Sequence, residues 1–183
     1  MKNSSDIHWI IRITLISIVT SMLFSLVSSQ VMSGAGYILA FALLMVFILA
    51  GIVFDMLGVA VTSADEAPFH SMASHREHGA REAIGLLKNS EKVASICNDV
   101  VGDISGIVSG ATAAAIAGNL TRDLSVSAVV TQLLCTGLVA GLTIGGKAFG
   151  KSIAISSDIR IVLMAGRVIA FFTGSGRNKK KGR

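Results

Sequence analysis

Charge is the scarcest ingredient of this sequence: Asp, Glu, Lys and Arg make up 15% of its 183 residues, against about 25% in a soluble globular domain. That shortage excludes a disordered chain and a conventional water-soluble fold. Cysteine occurs only at Cys97 and Cys135, both inside apolar stretches, which excludes a disulfide framework or a thiolate metal knuckle. The two thiols read as small buried side chains. Proline occurs once, at Pro68, and the first break between apolar stretches, at 28–36, is polar and glycine-containing instead. No Walker loop, GxSxG elbow, HExxH pair or dinucleotide fingerprint is present, so nothing supports enzymatic turnover.

Apolar length is what the chain has in abundance: 52% hydrophobic residues and a mean hydropathy of +0.70. From Ile13 to Phe54, 42 consecutive residues carry no charge, and Leu124 to Gly146 adds another 23. A bilayer-spanning helix takes about 20 apolar residues. We therefore expect an all-α integral membrane protein of about four transmembrane helices, an N-terminal helix followed by a three-helix core. The spans fall near residues 8–29, 37–62, 93–118 and 124–149. A polar hairpin at 28–36 joins the first two, and a tight turn at Asn119 to Asp123 joins the last two. Residues 65–92 hold nine charges and helix formers, which predicts short amphipathic juxtamembrane helices. Ser90 is a candidate helix cap, and Ser156-Ser157-Asp158 precedes a last helix expected to lie at the membrane surface. The expected organisation is residues 1–36 as the first helix and hairpin, 37–172 as a transmembrane domain, and 173–183 as a basic cytoplasmic tail.

Basic residues orient this arrangement. With four spans and the N-terminus inside, 15 of the 16 Lys and Arg fall on the cytoplasmic side, leaving Arg122 outside. The basic run ending the chain then reads as an anchor near anionic lipid rather than as a nucleic-acid patch. A bacterial cytoplasmic membrane is the expected location, with the C-terminus in the cytoplasm. The basic start followed by an apolar stretch also resembles a signal peptide. Cleavage near Ser28-Ser29-Gln30 would leave three spans in the same topology.

Ionisable residues within spans cost roughly 2.5–3.5 kcal/mol each on insertion scales, so they face partners or cavities. Four qualify: Asp55, Asp99, Asp103 and Lys147. Asp99 and Asp103 are four apart on one helical face, with Ser95 and Asn98 on the adjoining turn. These oxygens suit a hard cation such as Mg²⁺ as the transported or bound ion. The same groups also suit structural pairing with Lys147, or a proton relay. Gly102, Gly106 and Gly110 form a small-residue line that fits either a dimer seam or an internal packing face. His75, His78 and Glu82 have the spacing of one helix face, read as a solvated face rather than a transition-metal site.

Several segments resemble the transmembrane domain of the CorC/CNNM (CorB-like) magnesium-transporter family. Thr62-Ser63-Ala64, Gly79-Ala80-Arg81-Glu82-Ala83 and Leu86 to Lys92 are similar to the family's passage from a membrane helix through juxtamembrane helices to the next span. Gly146-Lys147-Ala148-Phe149-Gly150-Lys151-Ser152-Ile153-Ala154 resembles its Gly-Glu-Ile-x-Pro-Lys-Ser-Ile-Ala motif, and 161–172 its following helix. The resemblance implies a homodimer binding dehydrated Mg²⁺ through serine, asparagine and backbone oxygens. This chain departs from the pattern at the charges. Asp55 replaces a serine, Gly58 a glutamate and Lys147 the motif's glutamate, while Gly102-Asp103 matches a Gly-Asn pair. No CBS domain is present, which leaves room for a separate regulatory subunit. One lysine cannot neutralise three carboxylates, so the expected function is divalent-cation transport or binding; the alternative is a non-transporting scaffold or accessory subunit in which Lys147 replaces the cation.

Overall fold

A computed structural model describes residues 4–34, 37–124 and 126–173. Every regular element among these residues is helical, with no strand, and four helices are long and apolar enough to cross a membrane. In order they form α1 (Ser4–Gly34), α2 (Tyr37–Ser63), α3 (Ala67–Ser74), α4 (Ala80–Lys88) and α5 (Ser90–Ser95). A π-helical segment (Ile96–Gly102) then leads directly into α6 (Asp103–Leu124), followed by α7 (Ala128–Ser156) and α8 (Asp158–Phe172). The basic residues from Arg177 to Arg183 lie outside the described residues.

Contacts divide the chain into two units, Met1–Phe54 with Asn98–Ala148, and Asp55–Cys97 with Phe149–Arg183. The first is a membrane bundle. Ala40, Leu44 and Ile48 of α2 pack against Ala113 and Ile116 of α6 and Val139 of α7. A second cluster joins Phe47 to Val100, Ile104 and Val108, with Ile13 and Phe24 of α1 against it. Phe24 and Phe47 meet edge to face at 5.5 Å. Hydroxyls inside the bundle bond to their own helices. Ser109 donates to the Gly106 carbonyl at 2.9 Å and Thr112 to that of Val108 at 2.8 Å. Apolar surroundings supply no water, so this back-bonding satisfies the groups locally.

The second unit is built on α3, α4 and α8 together with the ends of α2 and α7. Phe69, Ala80, Ala83, Leu87, Val162 and Leu163 form its centre with Ala60 and Val61. Pro68 stands in the first turn of α3, where its missing N–H costs nothing. Gly79, at φ +85°, starts α4, and α8 crosses it closely. A Cβ on Gly166 would overlap the Gly79 carbonyl and the Ala83 backbone, and a Cβ on Gly79 would overlap Arg167. Arg167 donates to Glu77 Oε1 at 2.9 Å across this crossing.

Four local expectations change. Residues 28–34, expected in a polar hairpin, continue α1 to Gly34, and residues 35–36 of that hairpin lie outside the described residues. Asn119 to Asp123 is the last part of α6 rather than a turn, and the chain is non-helical at Val126 and Ser127. Thr121 hydrogen-bonds back to the Ala117 carbonyl at 2.8 Å, so this polar stretch continues the helix beyond its apolar part. His75, His78 and Glu82 do not share a helix. Alpha3 stops at Ser74, and left-handed Arg76 (φ 61°) and Gly79 separate it from α4. All three histidines of that region, His70, His75 and His78, are exposed. Ser90 begins α5 inside the helix, and Asn89 holds the cap position without a side-chain cap bond.

Candidate functional site

Helix length fixes where the charges fall along the bundle. The charge-free parts of its helices are residues 37–54 on α2, 104–121 on α6 and 128–146 on α7. Eighteen helical residues measure about 27 Å, close to the roughly 30 Å hydrocarbon thickness of a bilayer. At one end of these stretches the Tyr37 hydroxyl donates to Asp123 Oδ2, tying the start of α2 to the end of α6. At the other end stand Asp103, at the start of α6, and Lys147. The charges of these three helices therefore mark the ends of their apolar lengths, not the middle.

Close helix approach brings Lys147 to α6. A Cβ on Gly51 would stand 3.1 Å from Ser105 Cβ, and one on Gly146 would overlap the Ile52 side chain. With α2, α6 and α7 this near, Lys147 Nζ donates to the Gly102 carbonyl at 3.3 Å. It also lies 4.0 Å from Asp103 Oδ1. Gly102 closes the π-helical segment, where wider turns shift carbonyls out of the α-helical ladder. Lys147, the residue expected as an internal counter-charge, stands beside Asp103. Its carboxylate remains open, with 71% of the side chain exposed against 21% for Lys147.

The other predicted ligands divide between the units. Asn98 and Asp99 lie on the π-helical segment in the bundle with Asp103. Asn98 Oδ1 is buried without a hydrogen-bond partner, whereas Asp99 is exposed. Asp55 and Ser95 belong to the second unit. There Asp55, 6% exposed at its side chain, has Lys151 Nζ 3.7 Å from Oδ2. Among the described residues, no three His, Cys, Asp or Glu side chains gather as a metal site. The donor set of hard oxygens fits a divalent cation in kind, but ammonium groups already stand beside two of its carboxylates.

Two features escaped the sequence reading. Lys151 is four residues after Lys147 on α7, and that spacing was the available signal that both lysines face carboxylates. The π-helical segment has no comparable signal beyond its polar residues and Gly102. The glycine line also sorts itself. Gly102 is buried, whereas a Cβ on Gly106 or Gly110 would meet nothing within 4 Å. The latter two are not needed for packing inside this chain.

No protein-family model, curated protein or solved structure matches the chain, so the likeness to the CorC/CNNM family rests on the residue pattern alone.

Proposed function

We propose that this integral membrane protein is a non-transporting scaffold or accessory subunit in which lysine ammonium groups occupy the electrostatic place of a bound cation. One observation carries this reading: Lys147 bonds to the Gly102 carbonyl and approaches Asp103, one of the carboxylates expected to hold the ion. Lys151 beside Asp55 repeats the pattern in the second unit. A tethered ammonium competes with any incoming cation at no translational cost, which favours the internal pair. The positive-inside distribution puts Lys147, Lys151 and the juxtamembrane helices on the cytoplasmic side.

A second reading, transport or binding of a divalent cation with Mg²⁺ as the first candidate, is favoured by a separate observation. Asn98 Oδ1 is a buried acceptor without a donor, and π-helical turns recur at functional sites. Mg²⁺ needs only one or two carboxylates when waters complete its shell. In this reading Lys147 lies aside when the ion enters.

Magnesium flux into proteoliposomes separates the two. The scaffold reading expects no Mg²⁺-dependent flux from the native chain. Flux that Asp103→Asn abolishes would contradict it and establish the transporter.

A further inference from the structure

We propose that the outward face of α8 docks onto an anionic phospholipid surface. The helix carries two apolar faces rather than one. Val162, Leu163, Gly166 and Ala170 are buried, and the crossing with α4 accounts for that side. Met164, Val168, Phe171 and Phe172 recur at i, i+4, i+7 and i+8 and form the opposite face, with the two phenylalanines 80% and 82% exposed. Their rings meet edge to face at 5.8 Å. Four large apolar side chains aligned on one helix are a surface that water does not stabilise.

The occupant follows from the chain's connectivity and charge. Alpha8 begins two residues after α7, one of the four helices able to cross the membrane, and the end of α7 still exposes Phe149 and Ile155. An apolar face tethered there remains in reach of lipid. From Ile159 to Arg183 the sequence contains seven basic residues and no acidic one. Arg167 is engaged with Glu77, while Arg160, one turn before Met164, is exposed beside the apolar face. A second copy presenting the same face would bring two such basic segments together. Anionic headgroups instead match the charge, and their acyl region matches the apolar row.

The full chain tests this after Trp9→Phe removes its single native indole and Phe171→Trp supplies a reporter. The protein is reconstituted into phosphatidylcholine vesicles with or without phosphatidylglycerol, using lipids brominated at shallow acyl positions. Expected is blue-shifted emission that brominated lipid quenches, more strongly with phosphatidylglycerol present. Arg160→Gln should lower the ratio of docked to undocked helix roughly fivefold in the anionic vesicles. Val168→Trp serves as a second reporter that leaves the phenylalanine pair intact. Water-like, unquenched emission from both reporters overturns the proposal. So does shielding without quenching, which means protein covers the face, or shielding lost on dilution into excess lipid, which identifies a second copy. Quenching that ignores phosphatidylglycerol also overturns it.

Discussion

Lys147 Nζ lies 4.0 Å from Asp103 Oδ1 while it donates to the Gly102 carbonyl at 3.3 Å. A positive charge therefore already sits at the polar end of the helical bundle. At an effective dielectric suited to a protein surface, two charges at this separation attract by about 4 kcal/mol, and by about 1 kcal/mol in water. The exposure of Asp103 puts this pair nearer the lower figure. The ammonium can thus bias the site without sealing it.

Lys151 should matter to the folded state more than its own exposure indicates. Its partner Asp55 is buried, and a buried carboxylate short of a counter-cation is unfavourable. Lys151→Met should cost about 1–2 kcal/mol, at the lower end because the lysine is half in solvent. Lys151→Arg should retain most of the stability, and adding Asp55→Asn to Lys151→Met should recover part of the loss. Thermal exposure of the buried Cys97 thiol to a reactive dye, in detergent, reads these changes. An unchanged midpoint for Lys151→Met would refute the assignment.

Glycine substitutions should have opposite outcomes in the two units. Gly166→Ala forces a methyl into the Gly79 carbonyl and the Ala83 backbone, which cannot swing aside as a side chain can. It should cost about 3 kcal/mol and release α8 to limited proteolysis. Gly110→Ala has open space and should leave the monomer's stability within about 0.5 kcal/mol. Equal sensitivity at both positions would show that the α4–α8 crossing is not the constraint described.

Apolar length made the four spans legible, because each must hide its backbone from lipid and so needs a long hydrophobic run. The second span begins at Tyr37 as expected, and α8 begins at Asp158, within the Ser156-Ser157-Asp158 segment expected to precede it. Polar residues were less informative. Asn119 looked like a turn and is helical, since helix propagation beyond an apolar stretch depends on backbone bonding rather than polarity. His75 and His78 looked like one helix face, but a left-handed Arg76 is a local backbone state that no spacing rule reveals. The charged site was half legible. The spacing of Asp99, Asp103 and Lys147 drew attention to them, but pairing depends on helix proximity set by Gly51 and Gly146. Lys151 was hidden because its partner Asp55 is remote from it in the sequence.

Topology gives another check. In a variant whose native cysteines are replaced, Ser127→Cys should react with a membrane-impermeant maleimide added to the outside of whole cells. His78→Cys should react only after the membrane is opened. The bias of basic residues underlies both expectations. The reverse labelling pattern would invert the proposed orientation.

The most direct test is equilibrium titration of purified protein with Mg²⁺, comparing the native chain with Lys147→Met and with Lys147→Met/Asp103→Asn. If Lys147 supplies the cation at this site, the native chain shows no saturable binding. Lys147→Met then gains it, with an affinity about tenfold or more above the native limit, and the added Asp103→Asn removes it. Saturable binding by the native chain that Lys147→Met leaves unchanged would contradict the account.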